Sequence, residues 1–292
     1  MNKNFKIAGV GEVLWDAFPD GEKFGGAPAN FTCHCCSLGA EAYVISCVGD
    51  DQRGKLALDF LENHGVNLDG VAVDSAYETG VVLITLDENG KPEYEIKEGV
   101  AWDKIRWIDD LARIASAMDA ICFGSLCQRG QVSRDTIRRF ISATPAHSMR
   151  VFDVNLRQQF YSDDIIRESL ELANALKLND EELPVVASSL GIQGTDEEIL
   201  EELIKKCHLK LIALTCGSKG AVMRTETETS SLPAPDVDVV NTVGAGDCFT
   251  AAMIMGFLAG KPLDEINEHA NRLAGFVCTQ AGAVPALPEG LC

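Results

Sequence analysis

The sequence predicts an α/β protein with a mostly parallel central sheet, helices on both of its faces and a small separate β-sheet. Short apolar runs typical of strands alternate with amphipathic runs of helical period, and this alternation favours parallel strands joined by helices. Polar residues follow several of the apolar runs, where a parallel sheet holds its ligands. Residues 80–86 and 92–97 break the alternation, and the turn residues Asn89 and Gly90 between them predict a β-hairpin.

Each element is predicted from its own composition. Strands are expected where β-branched and other apolar residues cluster, and residues 5–11 lead directly into a glycine turn. Residues 249–258 are almost wholly apolar and predict a buried helix, whereas residues 225–231 are polar and predict a loop or the edge of a hairpin. In chain order, the predicted strands are 5–11, 13–18, 42–48, 80–86, 92–97, 120–123, 150–154, 175–178 and 211–215, and the predicted helices are 29–38, 53–64, 131–144, 164–173, 195–207, 249–258 and 263–280.

The composition excludes several classes of partner. The 292 residues include 25 Lys and Arg against 44 Asp and Glu, a formal charge of −19, which repels nucleic acid and anionic lipid. No long apolar segment follows the first lysines, and the uncharged stretch 248–260 is too short to span a bilayer. We therefore expect a cytoplasmic protein without nucleic-acid or membrane partners, whose 11 cysteines are reduced.

Cys33, His34, Cys35 and Cys36 are residue types that bind zinc. They fall on the predicted helix 29–38, where consecutive side chains point about 100° apart and do not converge on one ion. We therefore expect these residues to pack the helix rather than to bind a metal.

A glycine-rich turn precedes the apolar helix. Gly244, Ala245 and Gly246 carry no large side chains, so their backbone N–H groups and the positive end of the helix dipole suit a phosphate. Asp247 follows at once, and a carboxylate there would repel a phosphate but could accept a proton from an attacking hydroxyl. The alternative is that Asp247 only interacts with the helix dipole.

Other glycine-rich and polar segments of the sequence accompany this turn. The paired glycines of 25–30 precede another helix, and polar strings at 153–157, 179–182 and 215–221 follow predicted strands. With 241–247, these strings stand in the order found in the ribokinase/PfkB family of carbohydrate kinases, which the chain resembles over nearly its whole length, and its fructokinases most of all. The resemblance implies an ATP-dependent kinase that uses Mg²⁺.

The same resemblance implies one ribokinase-like domain over residues 1–292, with a lid formed from about 12–24 and 78–100. A lid suits phosphoryl transfer because water near the activated phosphate would compete with the sugar hydroxyl. A hairpin packed on the core is the alternative. Relatives with such lids often pair through them, which adds a homodimer to the expectations.

The sugar site is predicted from short polar side chains beside glycines. Asp16, Gly25, Gly26 and Asn30 match the family's sugar-contacting positions, and rigid donors and acceptors of this kind suit the recognition of hydroxyl groups. Asp16 has an alternative role as a turn residue before Pro19.

Asp153, Asn155 and Arg157 alternate along a segment predicted to be extended, which would place them together on one side of it. The resemblance implies that this string lines the sugar pocket. Arg157 is also expected to offset charge on the transferring phosphoryl group.

The nucleotide side is predicted mainly from the resemblance. Asn179 and Glu182 share a face at a helix start, where the resemblance implies that they organise magnesium and phosphates, Glu182 through water. A capping box between the two side chains is a compatible alternative. The resemblance adds a nucleotide loop and a residue near the adenine: Thr215, Gly217 and Ser218 in the loop, and Asn271 near the adenine.

The predicted reaction is in-line transfer of the γ-phosphate of ATP to a primary hydroxyl of a ketohexose, in the first place D-fructose. Gly244, Ala245 and Gly246 would hold the nucleotide phosphate and its developing charge. Asp247 would contact the sugar and accept the alcohol proton as the new bond forms. The alternatives are a kinase for 2-keto-3-deoxygluconate, ribose or a nucleoside, and a sugar-binding regulator without activity.

Asn241 departs from the family pattern, which usually has Asp at this position. Many relatives enclose a monovalent cation between this region and the backbone near Gly282 and Ala283. An amide attracts K⁺ less than a carboxylate does, so Asn241 predicts at most a weak cation site.

Overall fold

The computed structural model describes residues 4–86, 92–288 and 290–291. Short 3₁₀ turns occur at Ala101–Lys104, Leu126–Arg129 and Gly217–Lys219. The strands are β1 (Lys6–Val10), β2 (Leu14–Phe18), β3 (Gly21–Gly25), β4 (Glu41–Gly49), β5 (Val71–Asp74), β6 (Gly80–Leu86), β7 (Pro92–Ile96), β8 (Ala120–Phe123), β9 (Met149–Asp153), β10 (Ala175–Asn179), β11 (Leu211–Thr215), β12 (Ala221–Arg224) and β13 (Thr229–Leu232). The helices are α1 (Ala27–Ser37), α2 (Gln52–Asn63), α3 (Asp109–Ala115), α4 (Gln131–Ser142), α5 (Asp163–Leu172), α6 (Leu183–Leu190), α7 (Asp196–Cys207), α8 (Ala245–Leu258) and α9 (Leu263–Cys278). None of these helices combines the length and the apolarity that crossing a bilayer requires.

The larger sheet has, within the described residues, nine strands in the order β13-β12-β11-β10-β9-β8-β1-β4-β5. Pairing is parallel from β11 through to β5. The strands β12 and β13 add an antiparallel edge, so the polar segment 225–231 ends in the edge strand of a hairpin. The predicted mostly parallel sheet is confirmed.

Helices cover both faces of this sheet. On β1, Ile7 is buried with Phe249 of α8, whereas its neighbour Ala8 is buried in another cluster with Ile137 of α4. Successive side chains of a strand point to opposite faces, so the two clusters lie on opposite sides of the sheet. Strands covered on both faces read as continuous apolar runs, which is why their positions could be predicted.

The smaller sheet has the order β3-β2-β6-β7. In it β2 pairs with β6 in parallel, while β3 and β7 pair antiparallel with β2 and β6, respectively. The predicted strands 13–18, 80–86 and 92–97 are therefore confirmed. The turn predicted at Asn89 and Gly90 lies outside the described residues.

Several short elements were not predicted. The strand β3 carries Glu22 and Lys23 just after a glycine and so has the polarity of a loop. The strand β5 and the helix α3 have 4 and 7 residues, too few for a hydrophobic period to emerge. The helix α6 also escaped prediction, because its 8 residues are mostly apolar and small and include a proline.

Polar residues lie at the carboxyl ends of neighbouring strands in the larger sheet. Asp153 ends β9, Asn179 ends β10 and Thr215 ends β11. The register pairs Asn179 with Thr215 and Lys177 with Asp153. Because the ends of parallel strands meet at one edge of a sheet, these side chains lie where sheets of this class hold ligands.

Candidate active site

The glycine-rich turn forms the start of α8. Gly244 precedes the helix with φ +82°, and a Cβ there would lie 2.2 Å from the carbonyl oxygen of Ala283. Both facts require glycine, since an L side chain disfavours this backbone and has no room. The N–H groups of a first helical turn have no partner within the helix, although Ala245 N–H lies 3.3 Å from the carbonyl of Thr242. The turn therefore offers N–H groups to an anion.

Asp247 lies in the first turn of α8, and its carboxylate accepts a hydrogen bond from the side-chain amide of Asn30 at 2.9 Å. Burial raises the pKa of Asp247 to about 6, and the nearby charge of Asp153 adds to the rise. Asn30, Lys177 and Arg157 act in the opposite direction. Asp247 is therefore ionised at neutral pH but basic enough to accept a proton late in a reaction.

A narrow cavity opens beside this carboxylate. Its volume is about 10 Å³, room for about one water molecule. Its walls bring together three residues predicted for the sugar site and one that was not predicted: Asp153, Asn155 and Asp247, and Glu12. Predicted residues from the end of β9, from the loop that follows it and from the first turn of α8 thus meet at one place.

Lys177 was not predicted as a site residue. Its ammonium group lies 3.1 Å from a carboxylate oxygen of Asp153, with both side chains under 10% exposed, and 3.1 Å from where a Cβ of Gly246 would be. Burial acts to lower the pKa of Lys177, but Asp153, Glu182 and Asp247 outweigh it and raise the pKa. A permanent cation therefore lies beneath the anion-binding turn. A lysine inside the apolar strand β10 was the signal that could have revealed it.

Asp153 connects this cation to α8. One of its carboxylate oxygens bonds Lys177, and the other lies 3.0 Å from the hydroxyl of Thr250, which is also 2.9 Å from the carbonyl of Gly246. Asp153 therefore holds the first turn of α8 from below in addition to lining the cavity.

Glu12 was not predicted as a site residue, yet it is 3% exposed and faces the cavity. Burial raises its pKa to about 7, against the opposing effect of its own backbone N–H, of Arg157 and of the N–H of Ala27. Its Oε2 atom has no hydrogen-bond partner among the described residues. A buried acceptor without a partner is costly, which suits a group that meets a ligand.

Asp16 lies on β2 of the smaller sheet, with its carboxylate 2.7 Å from where a Cβ of Gly25 would be. Burial raises the pKa of Asp16 to about 6, and Arg157 opposes that rise. Gly26 precedes α1 with φ +107°, and its Cβ would lie 2.4 Å from the carbonyl of Glu12. The paired glycines therefore let β2 and the start of α1 approach each other beside Asp16.

The predicted extended course of 153–157 is wrong. The strand β9 ends at Asp153, and Asn155 has φ +40°, a left-handed conformation that turns the chain. The N–H of Leu156 then donates to Glu182 at 2.9 Å. Asp153 and Asn155 still line one cavity, and the exposed Arg157 is close enough to lower the pKa of Asp247, so a turn rather than an alternation brings them together.

Asn179 and Glu182 form the reciprocal contact of a capping box. The Asn179 side chain accepts from the N–H of Glu182 at 2.8 Å, and Glu182 accepts from the N–H of Asn179 at 2.9 Å. Burial raises the pKa of Glu182, Lys177 lowers it, and Asp153 raises it further. One carboxylate and one amide suit Mg²⁺, which usually takes one or two protein oxygens and keeps water and phosphate in its other positions.

The residues predicted for the nucleotide are spread over two places. Thr215 ends β11, and Gly217 and Ser218 are exposed in the turn that follows, with φ +54° at Gly217. Asn271 is instead buried on α9, where its amide donates to the side chain of Asn267 at 2.8 Å. The side-chain hydrogen bonds found for Asn271 among the described residues go to Asn267 and not to this turn.

Asn241 caps its own turn. Its side-chain oxygen accepts from the N–H of Val243 at 3.1 Å, and its N–H donates to Cys278 at the end of α9. The carbonyl of Ala283 accepts from Nε2 of His34 at 2.9 Å, while burial lowers the pKa of His34 to about 4 and keeps it neutral. The oxygens of Asn241 and Ala283 are thus already engaged within the protein.

The cysteine-rich helix α1 is packed into the core. Cys33 and Cys35 are fully buried, and burial raises the pKa of each thiol well above its usual range. Across the described ranges, no group of three or more His, Cys, Asp or Glu residues is placed to hold a metal ion. His34 instead ties α1 to the backbone beside Gly244.

A parallel α/β sheet, a glycine-rich helix start and a buried carboxylate above the strand ends define a phosphotransferase of the ribokinase-like class. The family model for pfkB carbohydrate kinases matches residues 13–290. The chain therefore belongs to the pfkB family of carbohydrate kinases, in which it is a transferase that binds ATP.

Fructokinases are among the most similar curated proteins. The fructokinase of Klebsiella pneumoniae is 30% identical over 303 residues, covering 98% of this chain and 97% of that protein. Fructokinase-2 of Oryza sativa is 26% identical and covers 97% of this chain and 90% of its own.

Solved structures agree on the fold. The crystal structure of an uncharacterized sugar kinase of Pyrococcus horikoshii superposes with a TM-score of 0.80 at 28% identity. The match covers 95% of this chain and 93% of that one. The ATP-bound fructokinase of Xylella fastidiosa gives a TM-score of 0.85 at 21% identity over 97% and 95% of the two chains. The predicted ribokinase-like fold is confirmed.

Proposed function

We propose that the protein is an ATP-dependent fructokinase, which transfers the γ-phosphate of ATP to a primary hydroxyl of D-fructose. The observation that carries the proposal is the carboxylate of Asp247, which lies at the start of α8 and shares a cavity with Glu12, Asp153 and Asn155. A regulator that only binds sugar needs no proton acceptor beside an anion-binding turn.

The dimensions of the cavity support transfer to a primary hydroxyl. A space of about 10 Å³ admits a hydroxyl group but not a sugar ring. The ring would lie towards Asp16 and Arg157, and a hydroxymethyl arm would reach inward to Asp247. A primary hydroxyl is the sugar oxygen that extends farthest from a ring.

Asp247 accepts the alcohol proton as the oxygen–phosphorus bond forms. The N–H groups of Gly244 and Gly246, together with the Lys177 ammonium beneath them, stabilise the charge on the transferring group. Ala245 contributes if the phosphate displaces its 3.3 Å contact with Thr242. Arg157, which lies close enough to affect the pKa of Glu12, Asp16 and Asp247, offsets charge from the sugar side.

Asn179 and Glu182 would hold Mg²⁺, Glu182 through water, and the ion would supply positive charge that offsets the charge of the phosphates. Thr215, Gly217 and Ser218 would contact the nucleotide, and Asn271 would support the adenine end through α9. The Pyrococcus horikoshii sugar kinase has been solved with ATP at 28% identity to this chain, which supports ATP as the donor. Asn241, whose side-chain oxygen is engaged with Val243, would bind K⁺ weakly.

The smaller sheet would act as the lid. It carries Asp16 on β2, and its strand β3 ends at Gly25, shortly before α1 begins at Ala27. Closure would place Asp16 on the sugar and exclude water from the phosphoryl group. Gly25 and Gly26 would let the sugar approach the backbone, and a homodimer through this sheet stays a prediction.

A panel of sugars tests the proposal. Purified protein with MgATP is incubated with D-fructose, 2-keto-3-deoxygluconate, ribose, glucose and adenosine, and ADP formation is measured. We expect kcat/KM to be highest for D-fructose, and ³¹P NMR of the product will distinguish O1 from O6. A higher kcat/KM for another sugar would replace the substrate, and no sugar-dependent ADP formation would overturn the kinase proposal.

A further inference from the structure

The loop between β9 and α5 carries Arg157 in a strained turn. Asn155 has φ +40° and Gln158 has φ +48°, which for a residue other than glycine costs roughly 1–2 kcal/mol each. The N–H of Phe160 closes the turn on the carbonyl of Arg157 at 3.0 Å. Such strain persists only where surrounding contacts hold it, and it concentrates at functional sites.

One contact that holds this loop comes from the smaller sheet. The side-chain amide of Gln158 donates a hydrogen bond to the carbonyl of Tyr94 at 2.6 Å. Tyr94 lies on β7, which is the last strand in the order of that sheet. An edge strand presents backbone groups without a neighbouring strand, so Gln158 supplies a partner from the loop that follows β9 of the larger sheet.

A buried ion pair anchors the far end of the same loop. The guanidinium of Arg129 bonds both carboxylate oxygens of Asp103 at 2.9 and 3.0 Å, and it lies 4.1 Å from the ring of Trp102 and 4.5 Å from that of Phe160. Arg129 also donates to the carbonyl of Lys97, just beyond β7. Phe160 and the end of β7 therefore rest on one rigid support.

The two contacts that hold this loop therefore differ in their exposure to solvent. The Phe160 end is fixed by an ion pair whose side chains are 7% and 6% exposed, whereas the Gln158 contact is exposed and borders an open groove. Arg157 directly precedes Gln158 and is itself exposed, and the hydrogen bond found for its guanidinium among the described residues goes to the carbonyl of Leu156. The direction of the Arg157 side chain thus depends in part on the Gln158 contact.

We propose that Gln158 is a positioning residue, which ties the Arg157 loop to β7 so that movement of the smaller sheet over the sugar carries Arg157 towards the reacting phosphoryl group. The inference rests on the proposed kinase function. In this proposal the lid does more than exclude water. It also positions the guanidinium of Arg157, which belongs to the loop between β9 and α5.

The test compares Gln158→Glu with Gln159→Glu. The first keeps the side-chain length but replaces the donor by a carboxylate, which the Tyr94 carbonyl repels. The second adds the same charge at the exposed neighbour, for which no side-chain hydrogen bond is found in the described part of the chain. We expect Gln158→Glu to raise the KM for D-fructose about tenfold relative to Gln159→Glu, the effect of one hydrogen bond, and to lower kcat.

A purely structural role would change stability or ATP binding instead. We expect the KM for ATP and the melting temperature to be the same in both variants. Gln158→Lys restores a hydrogen-bond donor, and we expect it to reverse most of the rise in the KM for D-fructose. Equal sugar KM values in the two Glu variants, with an active wild type, would overturn this inference alone. A wild type that phosphorylates no sugar would overturn the proposed function, and this inference with it.

Discussion

The side-chain amide of Asn30 donates a hydrogen bond to the carboxylate of Asp247 across 2.9 Å, joining two residues that are 217 positions apart in the chain. It connects the first turn of α1 to the first turn of α8. Because an amide N–H stabilises the ionised carboxylate, the bond both orients Asp247 and limits the rise in its pKa. The two glycine-rich segments of the sequence therefore meet at the carboxylate that we propose as the proton acceptor.

Asn30→Asp tests this relationship through pH dependence. Asp247 must be ionised to accept a proton, and its pKa is raised to about 6, so we expect kcat/KM for the sugar to rise with pH through about 6 in the wild type. A second carboxylate at position 30 favours a shared proton, and we expect the rise to move up by about one pH unit or more. The measurement is kcat/KM from pH 5 to 9 at saturating MgATP.

Asn63→Asp, at the exposed end of α2, is the control for added charge and should keep the wild-type profile. An unchanged profile in Asn30→Asp would show that Asn30 does not influence the ionisation of Asp247.

Lys177→Met removes the cation beneath the turn. The variant leaves Asp153 buried without its ion-pair partner, which costs about 3–5 kcal/mol of the free energy of unfolding. We also expect turnover to fall by about 10²-fold because the developing phosphoryl charge loses a fixed cation. Urea unfolding and steady-state kinetics measure the two effects.

Two further variants separate stability from catalysis. Lys210→Met, at an exposed lysine, should change neither quantity. Lys177→Met combined with Asp153→Asn should recover stability but not turnover. Turnover in Lys177→Met equal to that of Lys210→Met would exclude Lys177 from the phosphoryl site.

Gly244→Ala tests the shape of the anion-binding turn against Gly260→Ala. Both glycines have positive φ, +82° and +68°, but only Gly244 has a neighbour in the way, the Ala283 carbonyl at 2.2 Å from the added Cβ. We expect Gly260→Ala to cost about 1 kcal/mol and Gly244→Ala at least about 1–3 kcal/mol more, with a raised KM for ATP. Equal losses of stability and unchanged ATP kinetics would contradict a tight turn that holds phosphate.

Glu12→Gln is predicted to stabilise the protein at high pH. Its pKa is raised from 4.5 to about 7, so the folded state binds its proton more tightly than the unfolded chain does. The stabilisation is complete below pH 4.5 and is lost as pH rises through about 7, a loss of about 3 kcal/mol. The variant cannot ionise, so its free energy of unfolding should exceed that of the wild type by about this amount at pH 8.

The difference between Glu12→Gln and the wild type should vanish near pH 4.5, which urea unfolding at both pH values would reveal. A constant difference across this range would mean that Glu12 is ionised in the folded protein throughout.

Much of this site could be predicted because its polar residues follow closely after paired glycines in the sequence. Gly25 and Gly26 precede Asn30, and Gly244 and Gly246 precede Asp247. The candidate site residues therefore lie next to turns that can be recognised in the sequence from their glycines. The apolar strands β9, β10 and β11 likewise placed polar residues at one edge of the sheet. These features are local in the chain, and local patterns are what a sequence reveals.

What escaped prediction depends on tertiary contacts. Lys177 stands in an apolar strand, and only the register with Asp153 shows that it is paired and charged. Glu12 follows a glycine turn as a surface acid would, and its burial comes from the start of α1 lying above it. Asn155 is left-handed but was predicted as extended. A run of alternating polar residues shows neither the φ angle of Asn155 nor the contact of the next residue, Leu156, with Glu182.

The central claim is that Asp247 accepts the proton of the attacking hydroxyl, and turnover of Asp247→Asn measures it most directly. The control is Asp264→Asn, the same change at an exposed acid in the first turn of α9. We predict that Asp247→Asn lowers kcat with D-fructose and MgATP by ~10²-fold or more while the binding of both substrates is nearly unchanged. Turnover equal to that of Asp264→Asn would contradict the account.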